Sequence, residues 1–297
     1  MSKLRILVFT VLILFVGAAF YEAEALSSIQ IKRIQEAIAK IQNPARGMQR
    51  QGYKEIKYIG IDSAPYLSET LKDRAMNFDS RTIICDILGE FKYKEAVPDL
   101  IYTLKNESDT VRTAACKALG QIADPSATDA LLSMLGDAQP NVRAEALTAL
   151  INFNDPRIAG EGAKLLSDKD ERVRTAAITL LDSKLDPQTV EAVRSALKYD
   201  GSPNVRMIAA RALGGLKDAG AVDLLTEAII EDKAQGVREE SAGALGKIGD
   251  KKAIPVLIEA LKDDYKDVQL KAAASLKELT GEDFGRDYNK WLEWSKK

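Results

Sequence analysis

Apolar and small residues recur in the same order about every 31 residues through most of the chain. The dipeptide Val-Arg begins at positions 111, 142, 173, 205 and 237, and Ser80-Arg81 and Val268-Gln269 continue this series in both directions. Counted from the first position of each copy, apolar or small residues lie at +4, +7, +8 and usually +11. At about 100° per residue these positions share one face of a helix. The pattern therefore predicts seven amphipathic helices, one in each repeat.

A second helical pattern precedes these helices, with apolar residues four positions apart. It is carried by Ala96, Leu100 and Leu104, by Ala127, Leu131 and Leu135, by Ala221, Leu225 and Ile229, and by Ala253, Leu257 and Leu261. Pro98 and Pro255 stand near the start of two of these helices, where a missing N–H costs little. No stretch shows the sustained alternation of apolar and polar residues that is typical of a strand. Each repeat therefore predicts a hairpin made of a first and a second helix.

A helical hairpin of about 31 residues cannot bury both of its apolar faces alone. Stacked hairpins share a continuous core and form a curved solenoid. We expect an all-α fold with about seven stacked hairpins over residues 61–280. Residues 26–60 are expected to form an N-terminal cap made of one amphipathic helix and a degenerate half-repeat, and residues 281–297 a C-terminal capping helix.

Residues 1–25 have the pattern of a secretory signal peptide. Lys3 and Arg5 precede an almost wholly apolar stretch over residues 6–20, and Ala23-Glu24-Ala25 places small residues where a signal peptidase cleaves. We expect cleavage after Ala25 and a periplasmic or otherwise exported protein. The alternatives are a retained membrane anchor and a buried core helix. An anchor is disfavoured because fifteen residues span only about 22 Å of a hydrocarbon core of roughly 30 Å.

The composition removes several classes of enzyme. The chain has no histidine, which excludes a Ser-His-Asp triad, a Cys-His pair and an HExxH zinc helix. Its formal net charge is −2, from 42 Lys and Arg against 44 Asp and Glu, so no basic excess favours nucleic acid as a partner. Chemistry by carboxylate, lysine, tyrosine or thiol groups stays open.

The repeat resembles a known family. The pattern Ala-x-Pro-x-Leu-x3-Leu followed by Val-Arg-x2-Ala-x2-Ala-Leu-Gly is carried by Ala96, Pro98, Leu100, Leu104, Val111, Arg112, Ala115, Ala118, Leu119 and Gly120. It resembles the HEAT-like repeats named after phycobilisome lyases, and the resemblance covers about 220 of the 297 residues. It implies a right-handed α-solenoid of the HEAT and armadillo type. It says little about function, because this repeat class serves many unrelated roles.

Two recurrent residues of the second helix have both a functional and a structural interpretation. Arginine at +1 occurs in six copies and is either a row of cations for an anionic ligand or a structural link. We favour the link, to loop carbonyls or to an acidic residue near the preceding turn, such as Asp109 or Asp170. Glycine at +9, for example Gly120 and Gly214, allows close approach of neighbouring backbones or ends the helix.

Cys85 and Cys116 both stand at +5, in adjacent repeats. Equivalent positions on neighbouring packed helices lie about 8–10 Å apart, whereas a disulfide needs Cα atoms within about 7 Å. We therefore predict two buried thiols. A disulfide and a reactive or metal-binding pair are the alternatives.

Aromatic residues gather near the two ends of the chain. Trp291 and Trp294 are the only tryptophans, and with Tyr288 they are expected to cover the last hairpin rather than to form a binding surface. Five tyrosines fall within 50 residues near the N-terminal end: Tyr53, Tyr58, Tyr66, Tyr93 and Tyr102. They either form a recognition surface or fill irregular repeats.

In HEAT-like solenoids the second helices line the concave side, and the resemblance implies the same here. Positions +2, +6 and +9 are then opposite the buried face. The candidate partner-binding residues are Lys117, Ala144, Thr148, Ile151, Thr175, Thr179, Met207, Arg211 and Leu270. A mostly small and uncharged surface suits an extended peptide or a partner helix, to whose backbone the threonines can add hydrogen bonds. The alternative is an ordinary solvated face.

These features favour a non-catalytic, exported scaffold that binds another protein or peptide and uses no cofactor or metal. The alternative, taken from the family resemblance, is a lyase or chaperone-like factor for a tetrapyrrole or its carrier protein. Export from the cytoplasm and the lack of an obvious acid–base pair on the concave side oppose that alternative. The di-iron hydroxylases built from HEAT-like repeats use His-Glu motifs, which a chain without histidine cannot form.

Overall fold

The computed structural model describes residues 26–73, 75–105 and 107–296. Over these residues the chain forms 17 α-helices joined by short turns and 3₁₀ segments, with no strand among them. The expected signal peptide, residues 1–25, lies outside the described residues. None of the helices described between residues 26 and 296 is both long and apolar enough to cross a bilayer.

An N-terminal hairpin, α1 (Ser28–Ile41) and α2 (Arg46–Ile59), precedes seven further hairpins. The first helices of these seven are α3 (Ala64–Leu71), α5 (Val97–Thr103), α7 (Thr128–Met134), α9 (Arg157–Lys164), α11 (Val190–Tyr199), α13 (Val222–Glu231) and α15 (Ile254–Ala260). Their second helices are α4 (Phe78–Glu90), α6 (Asp109–Ile122), α8 (Pro140–Leu150), α10 (Glu171–Lys184), α12 (Pro203–Gly215), α14 (Gln235–Ile248) and α16 (Lys266–Thr280). The last helix is α17 (Tyr288–Trp294). The prediction of an all-α solenoid of seven hairpins is confirmed, while its right-handed sense stays a prediction.

Short turns with aspartate set the ends of the helices. Several second helices are followed by a residue in the left-handed backbone conformation, such as Ala123 after α6 and Gly249 after α14. An aspartate follows at once and accepts a hydrogen bond from the N–H two residues later, as Asp124 does from Ser126 at 3.0 Å. This arrangement is an Asx turn, and it starts the 3₁₀ segment that leads into the next first helix.

The second helices approach one another closely through glycine. A Cβ atom added to Gly120 would lie 2.7 Å from the Cα atom of Ala149, and one added to Gly214 would lie 2.7 Å from that of Ala244. The prediction that these glycines allow close backbone approach is confirmed. Neighbouring first helices touch at only a few positions. The stack is therefore tighter along the second helices, which places them on its inner, concave side.

The arginines at +1 link neighbouring repeats. Arg143 is buried and donates from Nε and Nη2 to the carboxylate of Asp168, at 2.8 Å each, and from Nη1 to the carbonyl of Asp137 at 2.8 Å. The same bonds recur in four other repeats. We call this set the Arg–Asp ladder; its ion pairs are Arg112–Asp137, Arg143–Asp168, Arg174–Asp200, Arg206–Asp232 and Arg238–Asp263.

The structural interpretation of these arginines is confirmed, but the acidic partners named from sequence are wrong. Arg112 does not pair with Asp109, nor Arg174 with Asp170. Each arginine reaches the preceding turn only through its carbonyls and pairs with the aspartate of the following repeat. That aspartate lies 25 residues on for Arg112 and 26 for Arg174.

Both ends of the ladder depart from the pattern. At the N-terminal end Arg81 pairs with Glu107 at 2.6 Å and donates to the carbonyl of Asp73 at 2.6 Å. In the last repeat Gln269 replaces the arginine and donates to the carbonyl of Asp263 at 2.6 Å. Its side-chain oxygen accepts from Arg286, which comes from the segment before α17. The segment before α17 thus supplies the last hydrogen-bond donor at this end of the Arg–Asp ladder.

The C-terminal tryptophans cover the last hairpin. Trp291 is fully buried, and its indole N–H donates to the carbonyl of Gly285 at 2.9 Å. Phe284 and Trp294 meet its ring edge-to-face, with centroids 4.9 Å and 5.9 Å away. Tyr288 donates to Glu259 on α15. The predicted covering role is confirmed for Trp291, which continues the core beyond α15 and α16.

Cys85 and Cys116 are both free and fully buried. The prediction of two buried thiols is confirmed, and no disulfide joins them. Burial raises the pKa of the Cys85 thiol to about 12 and raises that of Cys116 as well. Because the thiolate is the reactive form, burial and the raised pKa both oppose nucleophilic chemistry at these cysteines.

Thiol labelling tests this assignment. Without reductant, neither cysteine of the native protein should react with a thiol reagent between pH 7 and pH 9. A buried thiol with a raised pKa stays protonated in this range. After denaturation the same sample should show both thiols, which then have an ordinary pKa of about 8.5. Absorbance of the released chromophore gives the count. No free thiol after denaturation would mean a disulfide.

Candidate functional site

Eight of the nine residues selected from sequence lie on the second helices, and the ninth, Ile151, follows directly after α8. Three of these side chains are exposed: Lys117 on α6, Thr148 on α8 and Leu270 on α16. The other six are half-buried: Ala144, Ile151, Thr175, Thr179, Met207 and Arg211. Each is therefore accessible in part. What binds there remains a prediction.

The threonines of this face are already hydrogen-bonded within their own helices. Thr148 donates its hydroxyl proton to the carbonyl of Ala144 at 3.0 Å, and Thr179 donates to Thr175 at 2.7 Å. A hydroxyl that donates in this way keeps its lone pairs. These threonines can therefore accept hydrogen bonds from the N–H groups of a bound peptide, and donate to it only by breaking a bond in their helix.

The two cations of the candidate set form ion pairs between neighbouring second helices. Lys117 contacts Asp86 on α4 at 2.8 Å, and Arg211 contacts Asp182 on α10 at 2.9 Å. Asp86, through its hydrogen bond, raises the pKa of Lys117. Lys117 and Arg211 are therefore already paired with carboxylates of a neighbouring second helix, in contacts that are only partly buried.

The concave side also has charged residues that the repeat pattern did not single out. Tyr53 and Lys57 on α2 both contact Glu90 at the end of α4, with Lys57 Nζ 2.7 Å and Tyr53 Oη 3.0 Å from its carboxylate. The hydrogen bond from Lys57 lowers the pKa of Glu90, and burial raises that of Tyr53. This cluster joins the N-terminal hairpin to the first repeat.

Glu145 on α8 is a half-buried carboxylate near Lys117 and Asp86. Burial raises its pKa, with the charge of Lys117 opposing and that of Asp86 adding to the shift.

On the next second helix Lys184 donates to the carbonyls of Ile151 and Phe153, at 2.8 Å and 2.6 Å, and so satisfies the end of α8. Burial lowers the pKa of Lys184.

Three adjacent repeats thus place Asp86, Lys117 and Glu145 close together. Across the part of the chain that the structure describes, no group of three or more Cys, Asp and Glu side chains is arranged to hold a metal ion. Between Lys117 and Arg211, α8, α10 and α12 contribute uncharged residues together with the charged Glu145, Asp182 and Lys184. Met207 there lies against the backbone of α14, with its sulfur 2.9 Å from the position that a Cβ atom on Gly236 would take.

Shallow grooves also lie on the opposite, convex side. One of about 230 Å³ runs between α11 and α13 and is lined in part by Leu197, Leu224 and Glu227. Its walls include Asp200, Arg206 and Asp232, which are members of the Arg–Asp ladder. Because these side chains already bind one another, the groove is the space left between first helices that stand apart.

Comparison with protein families identifies the class of this fold. The family model of HEAT repeats matches residues 64–140, 128–200 and 190–277, which together span more than two thirds of the chain. The chain therefore belongs to the HEAT-repeat proteins, as its repeat pattern indicated. No curated protein matches it in sequence.

Solved structures share this architecture at low sequence identity. YibA of Escherichia coli is 20% identical over 88% of this chain and 100% of its own, with a TM-score of 0.65. An engineered protein is 20% identical over 86% of this chain and 76% of its own, with a TM-score of 0.58. The complex of CpcE and CpcF of phycocyanin lyase from Nostoc sp. is 18% identical over 89% and 99%, with a TM-score of 0.46. At these identities the likeness of YibA and of the engineered protein concerns the fold alone, and that of the lyase complex carries no conclusion.

Proposed function

We propose that this protein is an exported, non-catalytic scaffold that binds an extended peptide or a helix of another protein along its concave side. The observation that carries the proposal is a strip of uncharged side chains on α8, directly after it, and on α10 and α12, formed by Ala144, Thr148, Ile151, Thr175, Thr179 and Met207. A flat surface with hydrogen-bond acceptors suits a ligand that needs contact area more than charge. HEAT repeats in general mediate contacts between proteins.

The state of the charged groups on this side supports a binding role over catalysis. Asp86, Glu90 and Asp182 each contact a Lys or Arg of a neighbouring helix. The hydrogen bond from Lys57 lowers the pKa of Glu90, which makes this carboxylate a weaker proton acceptor. Export is proposed on the pattern of residues 1–25, which fits a periplasmic or envelope location.

Two charge substitutions test the binding surface. Thr148→Glu and Met207→Glu place a carboxylate in the uncharged strip, where a bound partner would have to desolvate it. We expect each to weaken partner binding by about tenfold or more, since burying an unpaired charge costs more than about 1.4 kcal/mol. The partner is first captured from an envelope fraction with the wild-type protein, and then its purified form is titrated.

Matched variants on the convex side separate binding from folding. Ser195 on α11 is exposed and Ile230 on α13 is 68% exposed, so Ser195→Glu and Ile230→Glu add the same charge away from the strip. They should leave the affinity unchanged, and all four variants should keep the wild-type circular dichroism spectrum. If Thr148→Glu and Met207→Glu bind as tightly as the wild type, the concave side is not the binding surface.

A further inference from the structure

Charge is divided unevenly between the N-terminal hairpin and the repeats. Residues 26–60 contain seven Lys and Arg against two Glu, which is a net charge of +5. Residues 61–297 contain 33 Lys and Arg against 40 Asp and Glu, which is a net charge of −7. The small net charge of the whole chain therefore hides a basic end on an acidic array.

Most cations of the hairpin are exposed. Lys40 pairs with Glu55 at 2.6 Å and Lys57 with Glu90 at 2.7 Å. Four others have exposed side chains with no ion-pair partner among the described residues: Arg33 on α1 and Arg46, Arg50 and Lys54 on α2. Arg33 lies toward the start of α1 and Lys54 toward the end of α2, so these two share one end of the hairpin, whereas Arg46 and Arg50 lie toward the other end.

Large apolar side chains are exposed at one end of the same hairpin. Because α1 and α2 are antiparallel, the start of α1 lies beside the end of α2. Ile29, Tyr58 and Ile61 are there, with 71%, 88% and 55% of their surface exposed. A groove of about 350 Å³ between the two helices continues from Tyr58 past Arg33 and Lys54. Residue 26, where the chain arrives from the apolar stretch 6–20, is at this same end.

We propose that this end of the N-terminal hairpin docks on the surface of a bilayer that contains anionic lipid. Aromatic and aliphatic side chains beside Lys and Arg are the combination that sits at the membrane interface, with the rings at headgroup depth and the cations on anionic headgroups. The acidic array is repelled by the same surface. The array would then extend away from the bilayer and leave its concave side open.

The apolar side chains distinguish this proposal from binding to nucleic acid. A phosphate backbone is bound by cations and hydrogen-bond donors, and it offers nothing to the apolar side chains of Ile29 and Ile61. A membrane interface engages both groups together. The proposal does not depend on whether residues 1–25 are removed, because residues 26–61 carry all of the side chains involved.

A fluorescent probe on the hairpin tests the docking in the full chain. Both native cysteines are buried, so Ser28→Cys provides a single reactive thiol next to Ile29. Labelled with an environment-sensitive dye, it should shift to the blue with vesicles of phosphatidylcholine and phosphatidylglycerol. The shift should be weak with phosphatidylcholine alone and should be reversed by salt at high concentration, which screens surface charge. A probe at Ser195→Cys on α11 should not respond.

Charge reversal supplies the matched comparison. Arg33→Glu with Lys54→Glu on the Ser28→Cys background should reduce the shift about threefold or more, since each basic residue near an anionic surface contributes about fivefold in affinity. Lys233→Glu with Lys252→Glu, at two exposed positions of the array, should leave the shift unchanged. A shift of equal size on phosphatidylcholine would place residue 28 at the membrane through residues 1–25 alone and overturn the proposal. The proposal would also be overturned if duplex DNA shifted the fluorescence as much as vesicles do. A shift that Arg33→Glu with Lys54→Glu leaves unchanged would overturn it as well.

Discussion

Replacing Arg143 by methionine should lower the free energy of unfolding by about 3–5 kcal/mol, the usual cost of removing one partner of a buried ion pair. Arg143 is 7% exposed, and its guanidinium makes bonds to Asp168 and to the carbonyl of Asp137. Methionine retains the apolar part of the side chain but leaves both acceptors without their donor. Urea unfolding followed by circular dichroism measures the loss. Hydrogen exchange at residues 137–140 and 168–171 should report opening at these two turns.

Arg157→Met is the control for this prediction. Arg157 also contacts two carboxylates, those of Asp129 and Asp155, but its side chain is 56% exposed. Exposed pairs of this kind contribute about 0–1 kcal/mol. Similar losses for Arg143→Met and Arg157→Met would contradict a special contribution from the Arg–Asp ladder.

The ladder also predicts how stability depends on pH. Burial alone would raise the pKa of Asp168, but the hydrogen bonds from Arg143 and from the N–H of Asp170 together hold it below its ordinary value. The pKa of Asp137, Asp232 and Asp263 is lowered in the same way. Since the folded-state pKa is the lower one, this contribution is present above about pH 4 and is lost as the pH falls through the folded-state pKa values. The pH midpoint of acid unfolding should therefore lie below pH 4.

Trp291→Ala should also cost about 3–5 kcal/mol, the range measured when a large buried aromatic side chain is truncated. The substitution leaves a cavity against the last hairpin and removes the hydrogen bond to the carbonyl of Gly285. In a solenoid each repeat contacts only its neighbours, so the effect should begin at α15 and α16. Truncation after Gly281 should do the same and also remove Arg286 from the end of the ladder. Thermal unfolding with hydrogen exchange measures both.

Trp294→Ala provides the comparison, since Trp294 is half-buried and meets the Trp291 ring edge-to-face. It should cost about 1 kcal/mol, within the range for a partly exposed aromatic contact. An unchanged melting temperature for Trp291→Ala would mean that the array does not need this cover.

The repeat itself could be predicted from sequence because the same face is specified seven times. Val111, Ala115 and Leu119 occupy the buried face of α6 as expected from their spacing. The arginine partners could not be predicted from local spacing. Asp109 is three residues from Arg112, whereas Asp137, the true partner, comes into reach only when the next hairpin stacks. A contact between repeats depends on the stacking distance, which periodicity within a helix does not contain.

In the candidate site, too, positions within one helix could be predicted from sequence and contacts between helices could not. A helical wheel places Thr148 and Met207 correctly on the accessible side. It does not show that Lys117 pairs with Asp86, although both stand at +6 in adjacent repeats and a comparison of equivalent positions would have paired them. The contact of Glu90 with Tyr53 and Lys57 had no such indication, because the N-terminal hairpin lies outside the phase of the repeat.

Each ladder aspartate before the last, Asp263, belongs to two repeats at once, since its carboxylate accepts from one arginine and its carbonyl from the next. Asp168, for example, joins Arg143 to Arg174 in this way. Excision of one whole period, such as residues 138–168, would therefore leave the carbonyl of Asp137 for Arg174, and every remaining arginine would still find an acceptor pair. Duplication of one period would add a complete set. Gene rearrangements in whole units can thus change the length of such a protein without requiring any new interface to evolve.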